Sequence, residues 1–181
     1  VDPRVASVLD DLRADAVADT AALMSVLVRS IRPRRMLELG GANGYCTVWL
    51  AEALRAVGGR LVSVELDPRA SLAADANLSR AGLSPIVELR IQDAGVTLAR
   101  SPDACWDMVF LDAERPAYRG YWPDLVRALA PAGLLVVDHV LSHADELAEF
   151  RATVSRDARV TDAVVPTGAG ALLVVRNPRR G

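Results

Sequence analysis

Apolar residues recur along this chain with two different periods. Over residues 1–32, Val5, Val8, Leu9 and Leu12, then Leu23, Val26, Leu27 and Ile31, repeat at spacings of three and four, the signature of one helical face. Pro33 ends that pattern. Beyond it, short apolar runs alternate with helical stretches. "RRMLELG" reads as a first strand, turned by Gly40 to Gly44 into a helix over Tyr45 to Val57. "RLVSVELD" reads as a second strand, after which Pro68 suits the first turn of a helix. "IVELRIQD", "WDMVFLDA" and "GLLVVDHV" read as the third to fifth strands, with helical periodicity between them. "RVTDAVVPT" and "GALLVVRN", separated by Gly168 and Gly170, read as a closing hairpin.

Such alternation predicts an α/β fold, a mostly parallel sheet with helices on both faces. No repeat, linker or low-complexity stretch divides it. One domain is expected over 1–181, with N-terminal helices at 1–32 and the sheet core at 33–178. Open sheets of this kind bind ligands beyond the carboxyl ends of their strands. The polar residues at those ends are therefore the first candidates for function.

Glu38-Leu-Gly40-Gly-Ala-Asn-Gly44 follows the first strand. Glycines there let the backbone approach a ligand at a helix N-terminus. The dinucleotide fingerprint is not met, because Ala42 and Tyr45 stand where its second and third glycines belong. Glu38 at the mouth of this loop would repel a pyrophosphate. It suits S-adenosylmethionine, which has no phosphate and carries a sulfonium and an ammonium. Glu65, followed by Leu66, ends the second strand about 20 residues beyond the loop, where an acid accepts the ribose hydroxyls of an adenosine ligand. Asp93, Ala94 and Gly95 end the third strand and are placed for the adenine edge. Each acid alone also reads as a helix cap or a solvated charge. Acids at three successive strand ends favour a bound adenosine.

Composition narrows the partners. About half the residues are hydrophobic (51%) and the formal charge is −2, so neither nucleic acid nor an anionic membrane is an expected partner. There is no apolar run of membrane-spanning length and no signal-peptide pattern, and a cytoplasmic location is expected. Cys46 and Cys105 form neither a disulfide framework nor a metal motif. All 21 basic residues are arginines, so no lysine is available as a base.

With these residues in place, the sequence from about Asp19 to Arg176 resembles the S-adenosylmethionine-dependent O-methyltransferase family that includes catechol and caffeoyl-CoA O-methyltransferases. "LELGGANGYCTVWLAEAL" is similar to its first motif, "SVELDP" to its ribose-binding strand end, "DMVFLDAERPAY" to its fourth-strand segment and "GLLVVDHVL" to its fifth. The resemblance implies a Rossmann-like methyltransferase fold with a mostly parallel seven-stranded sheet and a C-terminal antiparallel hairpin. It implies Glu38, Gly40, Gly44, Tyr45, Cys46, Glu65, Leu66, Asp93, Ala94 and Asp112 around the cofactor. A divalent cation, magnesium in the family, would be held by Asp112, Asp138 and His139, and would chelate a catechol-like acceptor. Asp112, His139 and Arg115 are the implied catalytic residues. A homodimer is the implied assembly.

Four positions depart from the family pattern. His139 replaces an asparagine, and imidazole suits transition metals better than magnesium. Arg115 replaces a lysine that helps deprotonate the acceptor; it also reads as a surface partner of Glu114. Cys46 replaces a serine, and Ala169 an aspartate before the last strand. His143 reads as a loop or cap residue. Tyr45, Tyr118, Tyr121 and Trp122 are candidates to line an acceptor pocket, the last two also reading as core or interface. Three alternatives stay open: a metal-independent transferase with His139 as base, a nicotinamide-dependent oxidoreductase, and a non-catalytic S-adenosylmethionine-binding protein.

Overall fold

Leu37 and Leu39 alternate with Met36 and Glu38 along the first strand, and this two-residue period assigns them to opposite faces of a sheet. The computed structural model describes residues 2–12 and 15–178 and bears that out. Its elements run α1 (Pro3–Leu12), α2 (Asp15–Ile31), β1 (Arg35–Leu39), α3 (Tyr45–Val57), β2 (Arg60–Glu65), α4 (Pro68–Ala81) and β3 (Val87–Ile91). There follow α5 (Ala94–Arg100), β4 (Trp106–Leu111), α6 (Tyr118–Ala128), β5 (Leu129–Val137), α7 (Ala148–Ser155), β6 (Val160–Val165) and β7 (Ala171–Arg176). The expected helix over Tyr45 to Val57 has those bounds. Pro68 occupies the first turn of α4 behind Asp67, whose side chain accepts from the Arg69 N–H.

The seven strands lie in the order β3-β2-β1-β4-β5-β7-β6. β1 to β5 pair in parallel, while β7 is antiparallel to both β5 and β6. Strand order reverses between β1 and β4, which opens a crevice at their carboxyl ends. Leu37 and Leu39 join Val109, Leu111, Trp122 and Phe150 in the core under α5, α6 and α7. Met36 packs with Met24 and Val28 of α2 and Leu50 and Leu54 of α3 on the other face. The outermost helix, α1, buries Val5 and Val8 against α3 and α4.

The fifth strand is longer than its apolar run suggests. It begins at Leu129 and reaches the "LLVV" segment through a register irregularity opposite Trp106–Met108. At the other end, β4 stops at Leu111 and β5 at Val137. Asp112 and Asp138 therefore stand just beyond the sheet, each tied back by one hydrogen bond: Asp112 N–H donates to the Leu39 carbonyl (2.9 Å) and Asp138 N–H to that of Leu111 (3.2 Å). Among the described residues, no helix is long and apolar enough to cross a membrane.

Candidate active site

The glycine loop is built around its contact with the β4 end. Gly40 has φ +95°, and a Cβ there would lie 2.0 Å from the Asp112 carbonyl oxygen, so only glycine fits. Ala42 also has positive φ (44°), and its N–H donates to Glu65 Oε2 (2.8 Å). Glu65 Oε1 accepts from the Asp67 N–H (2.9 Å). These two bonds fix the Glu65 carboxylate between the loops after β1 and β2. A crevice of about 250 Å³ gathers Gly40, Glu65, Leu66, Asp93, Ala94 and Asp112. Six of the residues expected around a cofactor thus share one cavity.

Asp93 combines two of its readings. It lines the crevice and also caps α5, accepting from the Val96 N–H (2.8 Å). Gly44 opens α3, and a Cβ on it would press on Ala74 of α4 at 3.0 Å, so it serves helix packing rather than the cavity wall. Tyr45 departs from expectation. Its side chain is buried with Val48, Ala51 and Leu78, which leaves only its backbone at the helix start to meet a ligand. Cys46 packs between two hydrophobic clusters, and burial pushes its thiol well above the usual range.

Glu38 lies behind the loop rather than at its mouth. It is fully buried and accepts hydrogen bonds from Ser63 Oγ (2.6 Å) and Thr47 Oγ1 (2.7 Å), both on Oε2. Burial raises its carboxyl to about 7, against the opposing effect of the two hydroxyls. Its other oxygen, Oε1, has no protein partner. The sequence showed an acid at a strand end. Only the packing shows that Ser63 of β2 and Thr47 of α3 hold this acid in place from inside.

Asp112, Asp138 and His139 come together beyond β4 and β5. One ligand atom from each lies within 4.8 Å of the others. His139 Nδ1 stands 3.5 Å from both Asp112 Oδ1 and Asp138 Oδ2. Asp138 Oδ1 is occupied, accepting from Thr20 Oγ1 (3.1 Å) and from the His139 N–H (2.8 Å). Asp138 Oδ2 and His139 Nδ1 are buried without a hydrogen-bond partner. Two carboxylates and an imidazole with two unpartnered donor atoms suit a divalent ion. Burial holds the Asp138 carboxyl above its ordinary pKa, while the Asp112 carboxylate holds the His139 imidazole above its own. His139 has φ +63°, in the left-handed region that L side chains adopt sparingly.

Several neighbours differ from their sequence reading. Arg115 pairs with Glu146 (3.0 Å) across the loop after β5, not with Glu114. Tyr118 is fully buried and does not line an acceptor pocket. Its hydroxyl donates to the Ala113 carbonyl (3.1 Å) and accepts from the Ala113 N–H (2.9 Å), clamping the loop that carries Asp112. Trp122 is core, with its Nε1 donating to Asp157 (3.0 Å). Tyr121 alone of the four aromatics lines the crevice, its ring close to Gly95. Gln92 and Glu114 also line it, neither of them assigned to the cofactor from sequence. His143 lies outside the ligand group, its ring edge-on to His139 at 5.6 Å. Thr20 is the residue that sequence reasoning missed altogether; a buried threonine in an apolar helix carries no signal of its own.

The family model described as O-methyltransferase matches residues 11–177, which is nearly the whole chain. This chain belongs to the O-methyltransferase family. It is 35% identical over 121 residues to a catechol O-methyltransferase of Niastella koreensis, covering 65% of this chain and 54% of that protein. It is 34% identical over 134 residues to one of Mycobacterium tuberculosis, covering 73% of this chain and 60% of that protein. The matched segment thus spans little more than half the length of these relatives. Among family structures, the O-methyltransferase from Bacillus cereus in complex with SAH superposes with a TM-score of 0.82 at 25% identity, covering 98% of this chain and 92% of that one. TomG from Streptomyces achromogenes, in complex with SAM, gives 0.80 at 28% identity, covering 98% and 91%.

Proposed function

We propose that this protein transfers the methyl group of S-adenosylmethionine to a hydroxyl oxygen of a small aromatic acceptor, one with two adjacent hydroxyls. The observation that carries this reading is the meeting of two acids and a histidine, two of their ligand atoms unpartnered, beside a crevice to which Asp112 also belongs. Family relatives named catechol O-methyltransferase support the acceptor class. Glu65 would accept the ribose hydroxyls, Leu66 and Tyr121 would enclose the adenine, and the glycine loop would seat the methionine portion. The acceptor oxygen, its proton released to solvent, attacks the methyl carbon, the carbon–sulfur bond breaks with its electron pair going to sulfur, and S-adenosylhomocysteine leaves. The protein contributes mainly alignment of oxygen, methyl and sulfur.

Asp112, Asp138 and His139 would hold the divalent ion. When bound, it would supply Lewis acidity that lowers the acceptor hydroxyl's pKa. The imidazole favours zinc, iron, nickel or copper over magnesium. Arg115 is no base, since a guanidinium keeps its proton and Glu146 engages it. A second reading drops the ion and uses His139 as proton acceptor, and it is favoured by the Asp112 carboxylate beside its Nδ1.

The test is calorimetric titration of magnesium, manganese, zinc and nickel into protein loaded with S-adenosylhomocysteine, with Asp138→Ala as control. Methyl transfer to catechol is then followed with and without chelator. Saturable ion binding that is lost in the variant, with turnover lost in chelator, is the expected result. Turnover that persists in chelator would select the histidine-base reading. No transfer to any of a panel of phenols would overturn both.

A further inference from the structure

Two contiguous recesses of about 390 and 440 Å³ lie toward the amino ends of the strands, away from the carboxyl ends, sharing Arg35, Arg90 and Trp106. Arg35 opens β1, Arg60 opens β2, Arg90 lies in β3, Arg100 ends α5 and Trp106 opens β4. Side-chain alternation puts Arg35 with Leu37, and Arg60 with Val62, on the sheet face that α5 and α6 cover. α5 is only 7 residues long, so it stops short and leaves this part of the face as an open groove.

The groove's charge is unlike that of the whole chain. Against a net charge of −2, four arginines line it, and among the described residues Glu88 is its only acid. Glu88 engages Arg90 (2.7 Å), and Arg60 reaches the Pro85 carbonyl. Among the described residues, neither Arg35 nor Arg100 is ion-paired. The Arg35 guanidinium lies over the Trp106 ring at 5.1 Å. That ring is itself fixed, 4% exposed, with its Nε1 donating to Ser101 Oγ (3.0 Å). A cation resting on an indole face is held in place rather than sweeping through solvent. Beside it, Val62 and Pro85 form an apolar wall, with Ile86 and Val87, which pack toward the opposite face, at its rim.

We propose that this groove is a second ligand site, for a small phosphomonoester with an apolar body. Guanidinium forks match phosphate oxygens two at a time, and Arg35 and Arg100 are free to do so. The apolar wall takes the body of the ligand. The groove adjoins the cofactor crevice through Gln92, which lines both, but the two share no charged side chain.

The experiment is calorimetric titration of phenyl phosphate, and separately of inorganic phosphate, into the whole chain with and without saturating S-adenosylhomocysteine. Phenyl phosphate should bind saturably, more tightly than inorganic phosphate, and equally with the crevice filled. The double variant Arg35→Gln/Arg100→Gln should weaken it about tenfold or more, while S-adenosylhomocysteine binding in that variant stays as in the wild type and reports its fold. Absence of saturable binding, or equal affinity in the variant, would overturn the site. Loss of binding when S-adenosylhomocysteine is present would assign the phosphate to the crevice and also overturn it. Inorganic phosphate binding as tightly as phenyl phosphate would overturn the assignment of an amphipathic ligand.

Discussion

The hydroxyl of Thr20 in α2 donates to Oδ1 of Asp138 (3.1 Å), joining an N-terminal helix to the loop after β5 inside the core. With Oδ1 also taking the His139 N–H, the carboxylate is turned so that Oδ2 faces Nδ1 of His139. Thr20→Val keeps the shape and removes the donor. It should cost about 1–3 kcal/mol, because a buried carboxylate loses a partner, and should weaken binding of divalent ions. Urea unfolding and ion calorimetry check both. Unchanged ion affinity would show that Thr20 does not orient Asp138.

Tyr118 acts on Asp112 through the neighbouring Ala113. Tyr118→Phe leaves the aromatic packing against Phe150 and opens both hydrogen bonds to Ala113. The expected loss is about 1–2 kcal/mol of stability, with weaker S-adenosylhomocysteine binding as the Asp112 loop loosens. A variant with wild-type affinity and a wild-type urea midpoint would contradict the clamp.

Glu38 gives the protein a pH dependence with a defined sign. Its carboxyl is raised from 4.5 to about 7, so between those values the folded state holds a proton that the unfolded state has released. This contribution is fully present below about 4.5, falls as pH rises and is gone above about 7. The full swing is about 3 kcal/mol. Glu38→Gln stays neutral throughout. Wild-type stability relative to the variant should therefore decline between about pH 4.5 and about pH 7 in urea unfolding. A constant difference would mean that the buried carboxyl titrates normally.

Gly40 and Gly58 both have positive φ, yet their surroundings differ. A Cβ on Gly58 meets nothing within 4 Å, whereas one on Gly40 runs into the Asp112 carbonyl. Gly58→Ala should cost about 1 kcal/mol for the backbone alone and leave cofactor binding intact. Gly40→Ala should cost more and abolish S-adenosylhomocysteine binding, read by calorimetry on the two variants side by side. Equal behaviour would remove the argument that the loop must touch β4.

What the sequence determined by itself was the order and type of the elements and the strand ends that matter. Apolar periodicity is local, and four of the strands, β2 to β5, end where an apolar run meets an acid, so Glu65, Asp93, Asp112 and Asp138 were legible one by one. Tertiary structure decided what each does. Glu38 looked exposed at the loop mouth and is instead buried, because Ser63 and Thr47 from other elements close on its Oε2 and leave Oε1 unpartnered. Tyr118 looked like a pocket wall and became core, and Trp122, which read as either, is core too, because α6 turns both toward Phe150. Arg115 found Glu146 rather than its neighbour in the chain. Thr20 and the arginine groove were invisible, since their partners lie far off in sequence and only strand order makes them neighbours. Hydrogen bonds, burial and charge act over a few ångströms in space, and periodicity along a chain carries no record of which distant residues will come that close.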